Sequence, residues 1–227
     1  MADTLSPSAT STSSDVADAL TERQQQVLDA TLELLIENAA NVTMIAVARK
    51  ASCSKETLYK WFGDRDGLLA ATVRYQASKV KVAPFDGADL THARLTTVLE
   101  GFAGDLLTIL TGKMSIALNR LAIAQAHQHS GNNSANSSEN LGSIVLQNGR
   151  FSTGPRLKPA LEAGMAAGLL RNDDSEEAFR SFYGLVVRDI QIRLLLGDVI
   201  SFSKTDITAE AQRATEQFFS LYGPQTP

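Results

Sequence analysis

Residues 42–62 read Val-Thr-Met-Ile-Ala-Val-Ala-Arg-Lys-Ala-Ser-Cys-Ser-Lys-Glu-Thr-Leu-Tyr-Lys-Trp-Phe, a pattern that fits two short helices joined by a tight turn. Thr43 is placed to cap a helix of about Met44–Lys50, and Val47, Ala48 and Ala51 fall on its inner face. Their small side chains let another helix cross closely. Ser52 and Cys53 form the turn, Ser54 caps the second helix, and Leu58 and Phe62 anchor that helix to a core. This leaves Lys55, Glu56, Thr57, Tyr59, Lys60 and Trp61 on an outward face. Cations, hydrogen-bonding groups and aromatics together are what phosphates and base edges require. Each has a plainer reading too: Tyr59 and Trp61 can close the small core, and Lys55 and Lys60 can simply be solvated.

Charge around this stretch differs from that of the whole chain. The 227 residues carry a net charge of −4, yet residues 42–82 hold Arg49, Lys50, Lys55, Lys60, Arg65, Arg74, Lys79 and Lys81 against only Glu56, Asp64 and Asp66, a local +5. A phosphate-binding surface needs only such a local field, and acidic surface elsewhere limits indiscriminate adhesion to nucleic acid.

Outward from the core stretch, periodicity is helical throughout and the expected class is all-α. Residues 1–20 are rich in Ser and Thr, carry Asp3, Asp15 and Asp18 but no Lys or Arg, and read as a disordered tail unsuited to a DNA groove. A helix from Thr21 to Asn38 places Val27, Leu28, Leu32 and Leu35 on one face. Pro84 ends the first domain, because it cannot sit in a helix interior. Beyond it, helices are expected over His92–Leu110, Met114–His127, Leu141–Gln147, Pro155–Leu170, Asp174–Leu196 and Thr208–Tyr222, with a surface loop at His129–Asn140. The domains are therefore 1–20, 21–83, 84–223 and a short tail, 224–227.

Several function classes are poorly supported. No apolar run reaches the roughly 18–20 residues that span a bilayer, and no secretion signal opens the chain, so the cytoplasm is the expected compartment. The single cysteine, Cys53, permits neither an intrachain disulfide nor a cysteine metal cluster. His127 and His129 lack a partnering carboxylate pattern, and His92 is remote. No metal, cofactor or catalytic residue is expected.

Thr43, Val47-Ala48, Ala51-Ser52-Cys53-Ser54, Leu58-Tyr59-Lys60-Trp61-Phe62 and the following Gly63–Leu69 resemble the helix-turn-helix of TetR-family transcriptional regulators, with family spacing over about residues 23–75. Two departures stand out. Ser52 replaces the turn glycine, a cost if its φ is positive, and Ile45 and Ala46 replace frequently polar residues. The resemblance implies that Lys55–Trp61 enters the major groove, that Thr43, Tyr59, Lys60 and Arg65 contact phosphates, and that Lys55, Glu56 and Thr57 read bases.

Asn119–Ala126, Ala163–Leu170 and Asn172–Phe179 resemble the C-terminal region of the AefR-like branch. By resemblance, that region binds a small-molecule effector and forms a homodimer through helices at about 174–196 and 208–222. Phe179, Phe182, Tyr183, Val186, Ile190 and Leu194 could serve either that interface or a monomer core. Effector candidates are Phe102, Leu106, Ile109, Met114, Leu118, Leu121, Gln125, Phe151, Met165, Phe182 and Tyr183. The implied function is a ligand-responsive repressor on a palindromic operator. A helical protein-interaction module that has lost specific DNA binding is the alternative.

Overall fold

Over the residues that the computed structural model describes, 20–38, 42–84, 90–126 and 141–224, every regular element is helical. The readings of residues 1–19 as a tail, of His127 and of His129–Asn140 as a loop, and of 225–227 lie outside the described residues. Thr21 starts α1 (Glu22–Asn38) with a reciprocal cap: its hydroxyl accepts from the Gln24 N–H at 3.2 Å, and its own N–H donates to Gln24 Oε1 at 2.9 Å. Next come α2 (Met44–Lys50), α3 (Lys55–Phe62) and α4 (Arg65–Ala77). Their caps are Thr43, Ser54 and Asp64, whose side chains accept from the N–H groups of Ala46, Thr57 and Gly67.

Helices α5 (His92–Thr111) and α6 (Lys113–Ala126) meet at Gly112 with a bend of 62°. Among the described residues no single helix is long and apolar enough to cross a membrane. Helix α5 spends its apolar face inside the protein, with Leu95, Val98, Leu99, Phe102 and Ala103 fully buried.

From residue 141 the structure departs from the helix boundaries read off the sequence. Helix α7 (Leu141–Val145) runs through a π-helical turn, Leu146–Arg150, directly into α8 (Phe151–Ala166), so Pro155 and Pro159 stand inside a helix rather than at its start. Proline removes a backbone donor, and side-chain hydroxyls and an amide compensate around the wide turn. Ser152 Oγ donates to the carbonyls of Asn148 and Gly149 at 2.8 and 2.9 Å, Thr153 Oγ1 to that of Arg150 at 2.7 Å, and Asn148 Nδ2 to that of Ile144 at 3.0 Å.

The helix expected over Asp174–Leu196 is two helices, α9 (Ser175–Val187) and α10 (Ile190–Leu195), broken at Arg188 with φ +43°. The break forms where α11 (Lys204–Tyr222) supplies partners. Arg213 donates to the Leu185 carbonyl at 3.1 Å, and Glu210 pairs with Arg188 at 3.1 Å. Helix α11 itself starts four residues earlier than the apolar stripe suggested, because Ser203 and Asp206 form a capping box.

Two cores result. The larger joins α5, α8, α9 and α11 around Phe102, Phe179, Phe182 and Phe218, with the Phe182 and Phe218 rings 5.1 Å apart, edge to face. Phe179, Phe182, Val186, Ile190 and Leu194, the stripe with two possible uses, belong to it. Gly164 lets α8 approach α5: a Cβ there would lie 2.9 Å from Leu95 Cδ2. The smaller core gathers α1 to α4 and also Leu118, Leu121 and Ala122 of α6 and Leu141 and Ile144 of α7. The packing boundary therefore does not follow the chain boundary near residue 83.

The end of α4 is tied to α8 by Arg156, whose guanidinium donates to the carbonyls of Ala77 and Val80 at 2.6 and 3.2 Å. Arg156→Met keeps the apolar stem, leaves the Val80 carbonyl without its donor and removes the charged donor from that of Ala77, which still accepts from the Val80 N–H at 3.1 Å, so it should cost about 2 kcal/mol. A thermal melt should show a Tm lower by roughly 4–8 °C. An unchanged Tm would mean that this tie contributes nothing.

Candidate nucleic-acid interface and effector cavity

The turn between α2 and α3 is built around small side chains and one arginine. Val47, Ala48 and Ala51 are buried, and the Cys53 N–H donates to the Ala48 carbonyl at 2.9 Å. Cys53 is a free, partly buried thiol packed against the smaller core. Ser52 does adopt the left-handed conformation, with φ +51°. Arg23 of α1 reaches across to hold it, donating from Nη2 to the carbonyls of Ala51 and Ser52 at 2.6 and 2.8 Å. These carbonyls close α2 and have no partner within it, and the cation complements that end of the helix. Nothing local in the sequence marks this role for Arg23, whose partners lie 28 and 29 residues away.

Helix α3 sits on the smaller core through Leu58, which is fully buried, and through half-buried Trp61 and Phe62, whose rings lie edge to face at 6.2 Å. Trp61 thus packs against the core while remaining partly exposed. Lys55, Glu56, Tyr59 and Lys60 are exposed, Tyr59 by half of its surface. Thr57 is half-buried with its Oγ1 3.0 Å from Ser54 Oγ. Glu56 accepts from its own N–H and from the Ser54 hydroxyl, which holds its carboxyl below the usual range. It is therefore ionised at neutral pH, an acceptor suited to a base amine and repelled by phosphate.

The local positive charge is less available than the sequence suggests. Lys50 is bound to Glu37 and Glu33 of α1 at 2.8 and 3.1 Å, which raises its ammonium pKa. Arg65 donates from Nε to the Val42 carbonyl at 2.8 Å and lies 3.6 Å from Asp66, so it fixes the approach to α2. Thr43 is exposed, its oxygen engaged as the α2 cap. Lys55, Lys60 and Arg49 have no ion-pair partner among the described residues. Arg49, in the last turn of α2, thus joins the candidate phosphate contacts.

A cavity of about 430 Å³ lies beside α4. Val73, Gln76, Ala77 and Val80 form one wall, Leu106 and Ile109 of α5 and Leu118 and Asn119 of α6 the next. Leu146, Gly149 and Arg150 of the π turn, with Tyr183, Gln191 and Leu195, complete it. Of the effector candidates, Leu106, Ile109, Leu118 and Tyr183 line it. Phe102 and Phe182 lie wholly in the larger core. Phe151 is 53% exposed, Leu121 and Met114 pack in the smaller core, Met165 packs on the larger one, and Gln125 lies outside the lining. Arg150 and Gln191 fall outside the expected set, because the sequence assigns no element to 148–154, between two expected helices, and one unbroken helix to 174–196. Among the described residues no cluster of three or more His, Cys, Asp or Glu could hold a metal.

Comparison with known proteins matches residues 27–72 to the model of bacterial regulatory proteins of the tetR family, and 97–224 to that of the AefR-like transcriptional repressor C-terminal domain. The fold is similar to a TetR transcriptional regulator from Agrobacterium tumefaciens, with 44% identity, a TM-score of 0.73, and 91% of this chain and 97% of that one covered. It is also similar to a flavonoid-responsive regulator, FrrA, at 25% identity and a TM-score of 0.61, over 90% of this chain and 98% of that one. A stretch of 54 residues is 43% identical to the HTH-type transcriptional regulator BetI of Paraburkholderia phytofirmans. That match spans 23% of this chain and 28% of BetI.

Ser52→Gly removes a left-handed non-glycine residue whose exposed side chain makes no hydrogen bond among the described residues. Relief of about 1–2 kcal/mol outweighs the extra chain entropy of glycine, about 0.5–1 kcal/mol. Urea unfolding should therefore show a net gain of roughly 0.5–1 kcal/mol, and a loss would contradict the strain.

Proposed function

The chain belongs to the TetR family of bacterial transcriptional regulators, and from that premise we propose that it is a DNA-binding repressor controlled by a small molecule. The observation that carries this reading is the double use of α4. Leu68, Leu69 and Val73 pack in the core that holds α3, while Val73, Gln76 and Ala77 form a wall of the cavity. An occupant of the cavity therefore touches the element on which the recognition helix rests. The reading also draws on the likeness to an AefR-like repressor domain and on a flavonoid-responsive relative, a small-molecule responder of similar fold.

In this proposal α3 enters the major groove. Lys55, Glu56 and Thr57 read base edges, Thr43, Tyr59, Lys60 and Arg49 hold phosphates, and Trp61 packs the helix to its core while its exposed edge reaches the backbone. Arg65 reaches a phosphate only through the guanidinium nitrogens that its bond to Val42 leaves free. A homodimer forms through the helices at about 174–196 and 208–222. Ile192, Leu196 and Leu221 there, and Val199 in the connection between them, are each more than half exposed, apolar surface that a second copy can cover. Two-fold symmetry would then set two α3 helices roughly 34–36 Å apart on a palindromic operator. The effector favours an arrangement with the wrong spacing, and differential affinity of a few kcal/mol suffices. Such a regulator works in the cytoplasm, where its DNA is.

Fluorescence anisotropy with DNA flanking its own gene, titrated between 50 and 200 mM salt, tests this reading. Specific, salt-sensitive binding is expected, and Lys60→Ala should lower the slope of log K against log salt by roughly one. A slope equal to that of the wild type would remove Lys60 from the phosphate contacts. Absence of any specific binding would overturn the repressor reading.

A further inference from the structure

The lining of the cavity beside α4 carries one charge, the guanidinium of Arg150, and no acidic side chain. Its centre lies 3.9 Å from the Tyr183 ring centroid and 5.2 Å from that of Phe179. It has no carboxylate within ion-pair distance among the described residues. A guanidinium on aromatic faces is held by its plane, which leaves the N–H groups along its edge for a ligand in that plane. Bidentate recognition by such a fork is specific for carboxylates and phosphates. The remaining walls are dominated by Leu, Ile, Val and Ala, and the volume of about 430 Å³ matches one small organic molecule.

We infer that the effector is a small organic acid, an apolar body ending in one carboxylate that pairs with Arg150. This rests on the reading of the cavity as the effector site and adds the chemical class. A carboxylate suits the site better than a phosphate, because the lining offers a single cation to balance its charge. Polar neighbours support one such headgroup. The Tyr183 hydroxyl has no hydrogen-bond partner among the described residues, and burial raises its pKa, so at neutral pH it is a donor. Gln191 stands in the same lining.

The position of Arg150 also links an anion to α4. Arg150 is the last residue of the π turn. Within that turn Asn148 accepts from Arg74 of α4 at 3.1 Å, and Gly149 lies against Val73 closely enough that a Cβ on it would be 3.5 Å from Val73 Cγ1. An acid drawn to Arg150 bears on the turn that clasps α4, whereas a neutral molecule merely fills space.

The test uses the full chain and two matched pairs of probes: decanoate with decanamide, and 2-naphthoate with 2-naphthamide, titrated by calorimetry at pH 7.5. The two pairs separate an alkyl acid from an aromatic one. In whichever pair fits, the carboxylate should bind at least roughly tenfold tighter than its amide, as expected of a charge-assisted bond. Arg150→Gln should bring the two within about threefold by weakening the acid alone, and Arg150→Lys should restore part of the preference, as a point charge without the fork. Retained amide binding by Arg150→Gln shows that the variant is folded. If the amides bind as tightly as the acids, or if the preference survives in Arg150→Gln, the acid assignment is overturned while the effector site stands. If no probe of either pair binds the wild type, the acid assignment and the effector reading fail together.

Discussion

Helix α4 has to satisfy two cores at once. Its first turns, through Leu68, Leu69 and Val73, complete the small core beneath α3, and its last turn, through Ala77 and the Val80 that follows, borders the cavity and the larger core. Interiors this close-packed do not deform smoothly, so a shift at one end of a rigid helix is carried to the other. The side chains around α4 tighten that coupling. Arg156 holds its C-terminal carbonyls, Arg74 reaches Asn148 in the π turn, and Gln76 Nε2 lies 3.6 Å from Met114 Sδ. The small core adds to the link, because α6 and α7 supply five of its buried residues. The DNA-binding helices are thus not a separate bead on a linker.

The DNA-facing surface follows from the same economy of contacts. Lys50 and Arg65 spend their charge or their donors on holding α1, α2 and α4 together, which leaves Arg49, Lys55 and Lys60 without an ion pair among the described residues and available to the proposed DNA surface. Structural cations and binding cations are interleaved within one short stretch, and a count of local charge merges them. Ser52 illustrates the same tension in the backbone. It holds a left-handed turn that glycine would take without cost, and Arg23 supports that turn from α1.

What the sequence made legible was whatever is local. The positions of α1 to α3 follow from residues within four of one another: Thr43 and Ser54 cap helices through N–H groups three residues on, and Val47, Ala48 and Leu58 face inward by period alone. The outward face from Lys55 to Lys60 was legible for the same reason. What escaped depends on partners distant in sequence. The end of α9 at Arg188 requires Glu210 and Arg213, and the π turn ahead of Pro155 requires a set of hydroxyls that reads as ordinary loop chemistry. Both irregularities border the cavity, through Arg150 on one side and Gln191 on the other. Sequence periodicity therefore located the outward face of α3 and only outlined the pocket, naming Leu106, Ile109, Leu118 and Tyr183 but not the one charge among them.

The coupling through α4 can be probed without knowing the effector, by filling the cavity from the α4 wall. Ala77 is buried and lines the cavity, so Ala77→Phe puts a ring where a ligand would lie and leaves α3 and every DNA-facing side chain unaltered. Affinity for the operator, measured at fixed salt on a variant whose helical circular dichroism matches that of the wild type, is the decisive quantity. If α4 joins the cavity to the recognition helix, Ala77→Phe weakens operator binding by about tenfold, within the usual range of allosteric coupling. An affinity equal to that of the wild type, with the cavity filled and the fold intact, would contradict the account.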